Sequence, residues 1–261
     1  MASIYVGTSG YGYTAWVGTV YPEALKPARF LSHYATLFPP VELNRPFYAM
    51  PTADQLRRNL EQAEYPFMFA VKANTALTHT VDPHTWKSAA GSFKEAIEAF
   101  RSAKRLAAVL FQFSSQFRNT EDSRRYLFSL LEEFADLPTA VEFRHAGWYT
   151  NAMVDACRSR RVAIVSADFP DLPGMPPLVD VVTSPIAYFR FHGRNREGWS
   201  EAASGSRYDY VYSEAELEGL AGRVKGIAPR AERIFVYFNN GGMAANARTF
   251  TAILSRLGLR S

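Results

Sequence analysis

Ala140-Val141-Glu142-Phe143-Arg144-His145 is the stretch on which the fold turns. It starts as an apolar, β-branched run and ends in a carboxylate, a guanidinium and an imidazole. Side chains alternate across a strand, so Val141 and Phe143 share one face while Glu142 and Arg144 share the other. One face asks for a hydrophobic layer. The other asks for a place where buried charges meet.

The same design recurs along the chain. Short apolar runs at 4–6, 41–43, 67–71, 106–113, 140–143, 162–167, 186–191 and 234–238 are too short for helices and rich in β-branched and aromatic residues, so they read as strands. Each closes on a polar cluster. In order these are Gly7-Thr8-Ser9-Gly10, Glu42-Leu43-Asn44, Lys72-Ala73-Asn74, Gln112, Glu142-Phe143-Arg144-His145, Asp168, Arg190-Phe191-His192-Gly193 and Asn239-Asn240. Helical periodicity fills most gaps, most clearly at 24–38, 53–63, 93–104, 122–135, 152–160 and 215–225. Thr52 and Ser213 stand where helices should start, and Glu216 completes a capping-box pattern with Ser213.

Strands alternating with helices indicate a parallel sheet with right-handed crossovers. Eight such units predict an α/β fold, a TIM-like (β/α)8 barrel forming a single domain over residues 1–261, with an open doubly wound sheet as the alternative. The proline-rich stretch 170–177 reads as a loop over the mouth, ahead of a weak helical signal. Strand parity places Glu42, Asn44, Lys72, Gln112, Glu142, Arg144, Ser166, Asp168, Arg190, His192, Tyr237 and Asn239 inward. Met68, Ala70, Leu110 and Ile164 are then the apolar floor.

At 261 residues and 48% hydrophobic, the chain can bury a large core, and its net charge of +4 suits an anionic ligand without arguing for nucleic acid. Cys157 is the one cysteine, which rules out a disulfide framework and a thiolate metal site and points to a reducing, cytoplasmic setting. No signal-peptide pattern and no apolar stretch of membrane-spanning length is expected.

Several motifs together resemble the DUF72 (YecE-like) family from end to end. They include Tyr5-Val6-Gly7-Thr8-Ser9-Gly10-Tyr11, Val41-Glu42-Leu43-Asn44-Arg45-Pro46-Phe47-Tyr48, Phe69-Ala70-Val71-Lys72-Ala73 and Leu77-Thr78-His79. Further on come Leu110-Phe111-Gln112-Phe113, Glu142-Phe143-Arg144-His145-Ala146-Gly147-Trp148, Arg190-Phe191-His192-Gly193-Arg194, Arg207-Tyr208-Asp209-Tyr210-Val211-Tyr212-Ser213 and Tyr237-Phe238-Asn239-Asn240. The resemblance implies a TIM-like barrel and supplies no activity. The chain departs from the family pattern twice: Gly241-Gly242 stands where an Asp tends to follow the paired asparagines, and Ser114-Ser115 replaces a proline pair after the fourth strand.

The chemistry is read from the inward residues. Glu142 and Glu42 fit an acid–base pair, or they neutralise Arg144, Arg190 and Lys72 in a buried network. Lys72 fits either a Schiff-base nucleophile or an ion-pair partner. Arg144 and Arg190 form a forked clamp for a carboxylate or phosphate, or brace the barrel. His192 is the natural general acid or base; His145, of opposite parity, suits a loop cap. Gly7, Gly10 and Gly12 match neither a dinucleotide fingerprint nor a P-loop and read as a turn over the rim.

The leading expectation is a metal-independent enzyme, needing no cofactor, that acts on a small anionic, hydroxyl-rich substrate such as a phosphorylated sugar or nucleotide fragment. His192, Glu142 and Lys72 are its catalytic candidates. Arg144, Arg190, Glu42, Asn44, Gln112, Asp168, Asn239, Asn240, Ser9 and Tyr237 are its binding candidates. A second expectation is a metal-dependent sugar isomerase or phosphodiesterase-like barrel built on Glu142, Asp168 and His192. A third is a non-catalytic nucleic-acid binder, prompted by the positive charge and by loop aromatics such as Phe47, Tyr48, Trp148, Trp199 and Tyr208.

Overall fold

The computed structural model describes residues 2–200 and 206–259. Nine parallel strands make one sheet among them: β1 (Ser3–Ser9), β2 (Pro40–Leu43), β3 (Met68–Lys72), β4 (Leu106–Gln112), β5 (Thr139–Glu142), β6 (Ala163–Ile164), β7 (Ser166–Asp168), β8 (Ile186–Phe191) and β9 (Arg233–Phe238). Their order is β6-β5-β4-β3-β2-β1-β9-β8-β7. β6 and β7 end that order at opposite sides, yet only Val165 separates them in the chain. One stretch therefore bonds β5 through Ala163 and Ile164 and bonds β8 through Ser166 to Asp168. The sixth apolar run thus brings the two sheet edges together in a nearly closed α/β barrel.

Nine α-helices lie among the described residues: α1 (Phe30–Tyr34), α2 (Arg45–Tyr48), α3 (Ala53–Gln62), α4 (Trp86–Ser102), α5 (Glu121–Glu133), α6 (Asn151–Ser159), α7 (Arg196–Ser200), α8 (Glu214–Ile227) and α9 (Met243–Arg256). Thr52 with Gln55 and Ser213 with Glu216 form reciprocal capping boxes, so both predicted starts are real. The segment 24–38 is less helical than its pattern suggests. Pro27 opens a single 3-10 turn, and regular helix is confined to α1. α9 carries Ala247, Phe250 and Leu254 on its buried face, a spacing that lays one side of the helix on the barrel.

Two apolar shells hold the fold. The outer one lies between strands and helices and includes Val41, Phe69, Phe111, Val141, Phe189 and Phe238. The inner one fills the barrel with Met68, Ala70, Leu110, Ala140, Val165, Tyr188, Phe235 and Tyr237. Each large side chain removed from water in these shells contributes about 1.5–3 kcal/mol. Gly7 is required by geometry, since a Cβ there would lie 2.2 Å from the Pro40 carbonyl oxygen. Gly10 turns the chain off β1 with φ of +94°, a conformation that glycine adopts without strain.

Parity fails on the sixth run. Ala163, Val165 and Ala167 face the barrel interior, while Ile164 joins the outer shell. The cause is what covers that strand. No helix forms between Phe169 and Pro185. An irregular segment crosses the outer face instead and offers its own polar groups: Ser166 Oγ donates to the Val179 carbonyl at 2.5 Å, and Thr183 Oγ1 bonds both the Val162 carbonyl and the Ile164 N–H. Polar side chains on this strand therefore find partners outside the barrel. The loop 170–177 does reach the mouth in part, with Met175 packed against the inner shell.

Candidate active site at the barrel mouth

Glu42 on β2 and Arg190 on β8 form a buried charge pair. Both are fully withdrawn from solvent. Arg190 donates Nε to Glu42 Oε2 at 2.9 Å and Nη2 to Glu42 Oε1 at 2.7 Å, a two-pronged pair. Tyr188 Oη adds a 2.7 Å bond to Oε2, and Ser9 Oγ donates to Oε1. Ser9 in turn accepts from Asn44 Nδ2 at 2.9 Å. Every acceptor direction of Glu42 is thereby occupied.

The other end of Arg190 reaches β5, where Nη1 donates to Glu142 Oε2 at 2.6 Å. Glu142 Oε1 accepts from Arg144 Nε at 2.7 Å, and His192 Nε2 lies 3.2 Å from Oε2. Burial opposes the Glu142 carboxylate, but Arg190, Arg144 and His192 outweigh it and hold its pKa well below the usual range. His192 is sandwiched from solvent by Phe169, stacked at 4.8 Å, and Asn239 Nδ2 sits 3.1 Å from its Nδ1. Burial, reinforced by Arg190 and Arg144 against the pull of Glu142, lowers its pKa to about 3, so the ring is neutral at physiological pH.

Two cations differ from Arg190. The Arg144 side chain is 10% exposed, and its guanidinium lies 5.1 Å from the Phe169 ring and 5.2 Å from the Trp199 ring. Its Nε is bonded to Glu142. Among the described residues its Nη1 and Nη2 have no hydrogen-bond partner. Lys72, half-buried at the end of β3, places Nζ 3.7 Å from the Phe47 ring centroid, with no carboxylate among the described residues at ion-pair distance. Burial and the charges of Arg190 and Arg144 lower its pKa to about 7. His79 packs edge-on to the same Phe47 at 4.9 Å, and burial together with Lys72 lowers its pKa to about 4.

The model of the "Protein of unknown function DUF72" family matches residues 5–260. This chain belongs to the DUF72 family. It is 29% identical over 260 residues to the UPF0759 protein YunF of Bacillus subtilis, a match covering 93% of this chain and 91% of that one. A DUF72 crystal structure from Thermotoga maritima superposes with a TM-score of 0.88 at 37% identity, covering 97% and 99% of the two chains. One from Enterococcus faecalis gives 0.85 at 27% identity, covering 97% and 95%. The two solved structures share this chain's fold.

In this DUF72 barrel the mouth gathers Ser9, Glu42, Asn44, Lys72, Gln112, Glu142, Arg144, Arg190, His192 and Asn239 at the C-terminal strand ends. Three other sequence-selected residues lie elsewhere. Asp168 falls on the outer face, where Arg194 Nε and Nη2 each bond it at 2.9 Å and Tyr212 Oη at 2.7 Å. Asn240, of opposite parity to Asn239, is buried beneath the 210–212 segment and bonds the Tyr210 carbonyl and Asn246 Oδ1, each at 2.8 Å. Tyr237 is fully buried in the inner shell, below the charges.

The trio Glu142, Asp168 and His192 therefore does not converge. Among the described residues no three His, Cys, Asp or Glu side chains are placed to hold a metal ion. Gln112 is nearly buried and donates Nε2 to the Phe113 carbonyl at 2.6 Å. His145 caps the 3-10 turn at 146–148 by accepting from the Gly147 N–H at 3.1 Å.

Gly241 and Gly242, the family departure, lie under the 208–211 segment: a Cβ at Gly242 would meet the Val211 methyls at 3.0 and 3.1 Å. Four mouth residues escaped the charge-based reading. Tyr188 shares the parity of Arg190 and His192 and was findable on that ground. Phe169 follows β7, Trp199 lies in α7 and Phe47 in α2, and no sequence signal ties them to Arg144, His192 or Lys72. No helix among the described residues is long and apolar enough to cross a membrane.

Proposed function

We propose that the protein is a metal-independent enzyme acting on a small anionic, hydroxyl-rich substrate at the C-terminal mouth of the barrel, with Arg144 as the anion anchor. The observation that carries this reading is the Arg144 guanidinium, whose Nη1 and Nη2 have no hydrogen-bond partner among the described residues and whose centre lies 5.1 Å from the Phe169 ring and 5.2 Å from the Trp199 ring. A planar donor fork placed in this way suits a carboxylate or phosphate oxygen pair. The charge balance points the same way. Two carboxylates, Glu42 and Glu142, offset two guanidiniums, and Lys72 remains as the excess cation when protonated.

Roles follow from accessibility. Arg190 and Glu42 satisfy each other and brace the floor. Glu142 stays ionised and orients Arg144, with neutral His192 packed behind it. Proton transfer to or from substrate falls to Lys72, whose amine is poised near neutrality. Asn44 and Asn239, partly buried at the rim, suit substrate hydroxyls. The aromatic rings that prompted a nucleic-acid reading, Phe47 and Trp199, lie against Lys72 and Arg144.

The test is a panel of phosphorylated sugars and hydroxy acids beside their neutral parents. Binding is read by thermal shift, and turnover by proton NMR in deuterated water. Stabilisation by the anionic members, lost in Arg144→Gln, with C–H exchange or conversion of at least one member is expected. Binding without any chemical change across the panel would reduce the protein to a receptor, and no binding would end the reading.

A further inference from the structure

We propose that Lys72 forms a covalent imine with the carbonyl carbon of a small aldehyde or ketone whose anionic group is seated on Arg144. The proposal rests on the anion-site reading above and narrows its substrate to an oxo compound.

The surroundings of Lys72 set it apart from the other mouth cations. Arg190 and Arg144 each hold a carboxylate, whereas the Lys72 amine lies on the face of Phe47 with no such partner among the described residues. A lysine serving only to balance charge would be expected beside Glu42 or Glu142. A lysine serving only to cover apolar surface would carry its ammonium out to water. Lys72 does neither: it is half-buried, and two guanidiniums press on it. Such desolvation and like charge leave a large fraction of the amine unprotonated at neutral pH, which is the form that attacks carbonyls.

The anchor is correctly spaced for a compact molecule. Lys72 ends β3 and Arg144 follows β5, with β4 between them. Two inter-strand steps amount to about 10 Å at the backbone. Both side chains belong to the mouth, and a backbone separation of this size is compatible with a small molecule that places its anion at the Arg144 Nη atoms, which have no partner among the described residues, and its carbonyl at Nζ.

The step balances without an added redox partner. The Nζ lone pair adds to the carbonyl carbon, the π electrons move to oxygen, and a proton passes from nitrogen to that oxygen. The nitrogen lone pair of the resulting carbinolamine then forms the C=N bond as the hydroxyl leaves, and the remaining N–H proton passes to that hydroxyl to complete the water. Water reverses the sequence.

The experiment uses the full chain, glyoxylate as the anionic aldehyde and cyanoborohydride at pH 7, with peptide mass mapping of carboxymethyl-lysine at Lys72 and at the five other lysines. The expected result is labelling of Lys72 at least about tenfold faster than any other lysine. The preference should disappear in Arg144→Lys and Arg144→Gln, and site labelling should be absent in Lys72→Met. Labelling of Lys72 no faster than the rest overturns the imine. A parallel thermal-shift titration with inorganic phosphate separates the two failures. An Arg144-dependent phosphate shift with no Lys72 preference leaves the anion site standing and removes the imine, whereas no phosphate shift and no preference removes both.

Discussion

Arg190 on β8 and Glu42 on β2 meet across the barrel interior through two parallel hydrogen bonds, 2.9 Å from Nε to Oε2 and 2.7 Å from Nη2 to Oε1, with both side chains withdrawn from water. The pair joins strands that are separated in the sheet by β1 and β9, so it acts as a tie across the barrel as well as the floor of the mouth. Removing one partner strands a buried charge. Arg190→Met and Glu42→Gln are each expected to cost about 3–5 kcal/mol, measured by urea unfolding. Costs below about 1 kcal/mol would mean that the pair is not buried as described.

Lys72 should mark the pH dependence of stability. Its folded pKa is about 7 against an ordinary value of 10.5, so between those values the unfolded chain binds more protons than the native one. Stability from this group therefore rises with pH across that window and is lowest below pH 7. Lys72→Met should raise stability at pH 6 by an amount on the order of 2–4 kcal/mol, with the gain shrinking toward pH 10. Parallel stability–pH curves for the two proteins would contradict the shift.

Asp168 supports the outer wall. Its carboxylate takes both prongs of Arg194 and the Tyr212 hydroxyl. Asp168→Asn should destabilise by about 1–3 kcal/mol while leaving anion affinity at the mouth unchanged. A large loss of affinity without loss of stability would place the residue at the mouth after all.

Anion affinity should itself depend on pH. Sulfate keeps its charge above pH 3, so any change near neutrality belongs to the protein. Protonation of Lys72 adds a cation to the mouth as pH falls through about 7, and sulfate should bind severalfold more tightly at pH 6 than at pH 8.5. In Lys72→Met that pH dependence should flatten.

The barrel was legible because strand ends and helix caps are local signals. Glu142 and Arg144 follow a two-residue period, and Thr52 and Ser213 announce their helices. Asp168 was misplaced because parity supposes an apolar outer face on every strand, whereas Arg194 and Tyr212, from the segments after β8, meet its carboxylate on that face. Arg190 and Arg144 look equivalent as sequence, each alternating with apolar residues near a strand end. Their difference arises from partners supplied by β2, β5, Phe169 after β7 and Trp199 of α7, a three-dimensional fact that no local pattern carries. The same holds for Lys72, whose ring partner Phe47 comes from α2.

The most direct test of the anion site is a calorimetric titration of sulfate into the wild-type chain and into Arg144→Gln at low ionic strength and pH 6.5, with folding of both checked by circular dichroism. Saturable binding of one sulfate per chain is expected in the wild type and at least about tenfold weaker binding in the variant, the loss of roughly 1.4 kcal/mol or more of binding energy. Equal affinities in two folded proteins, or no saturable binding in the wild type, would contradict it.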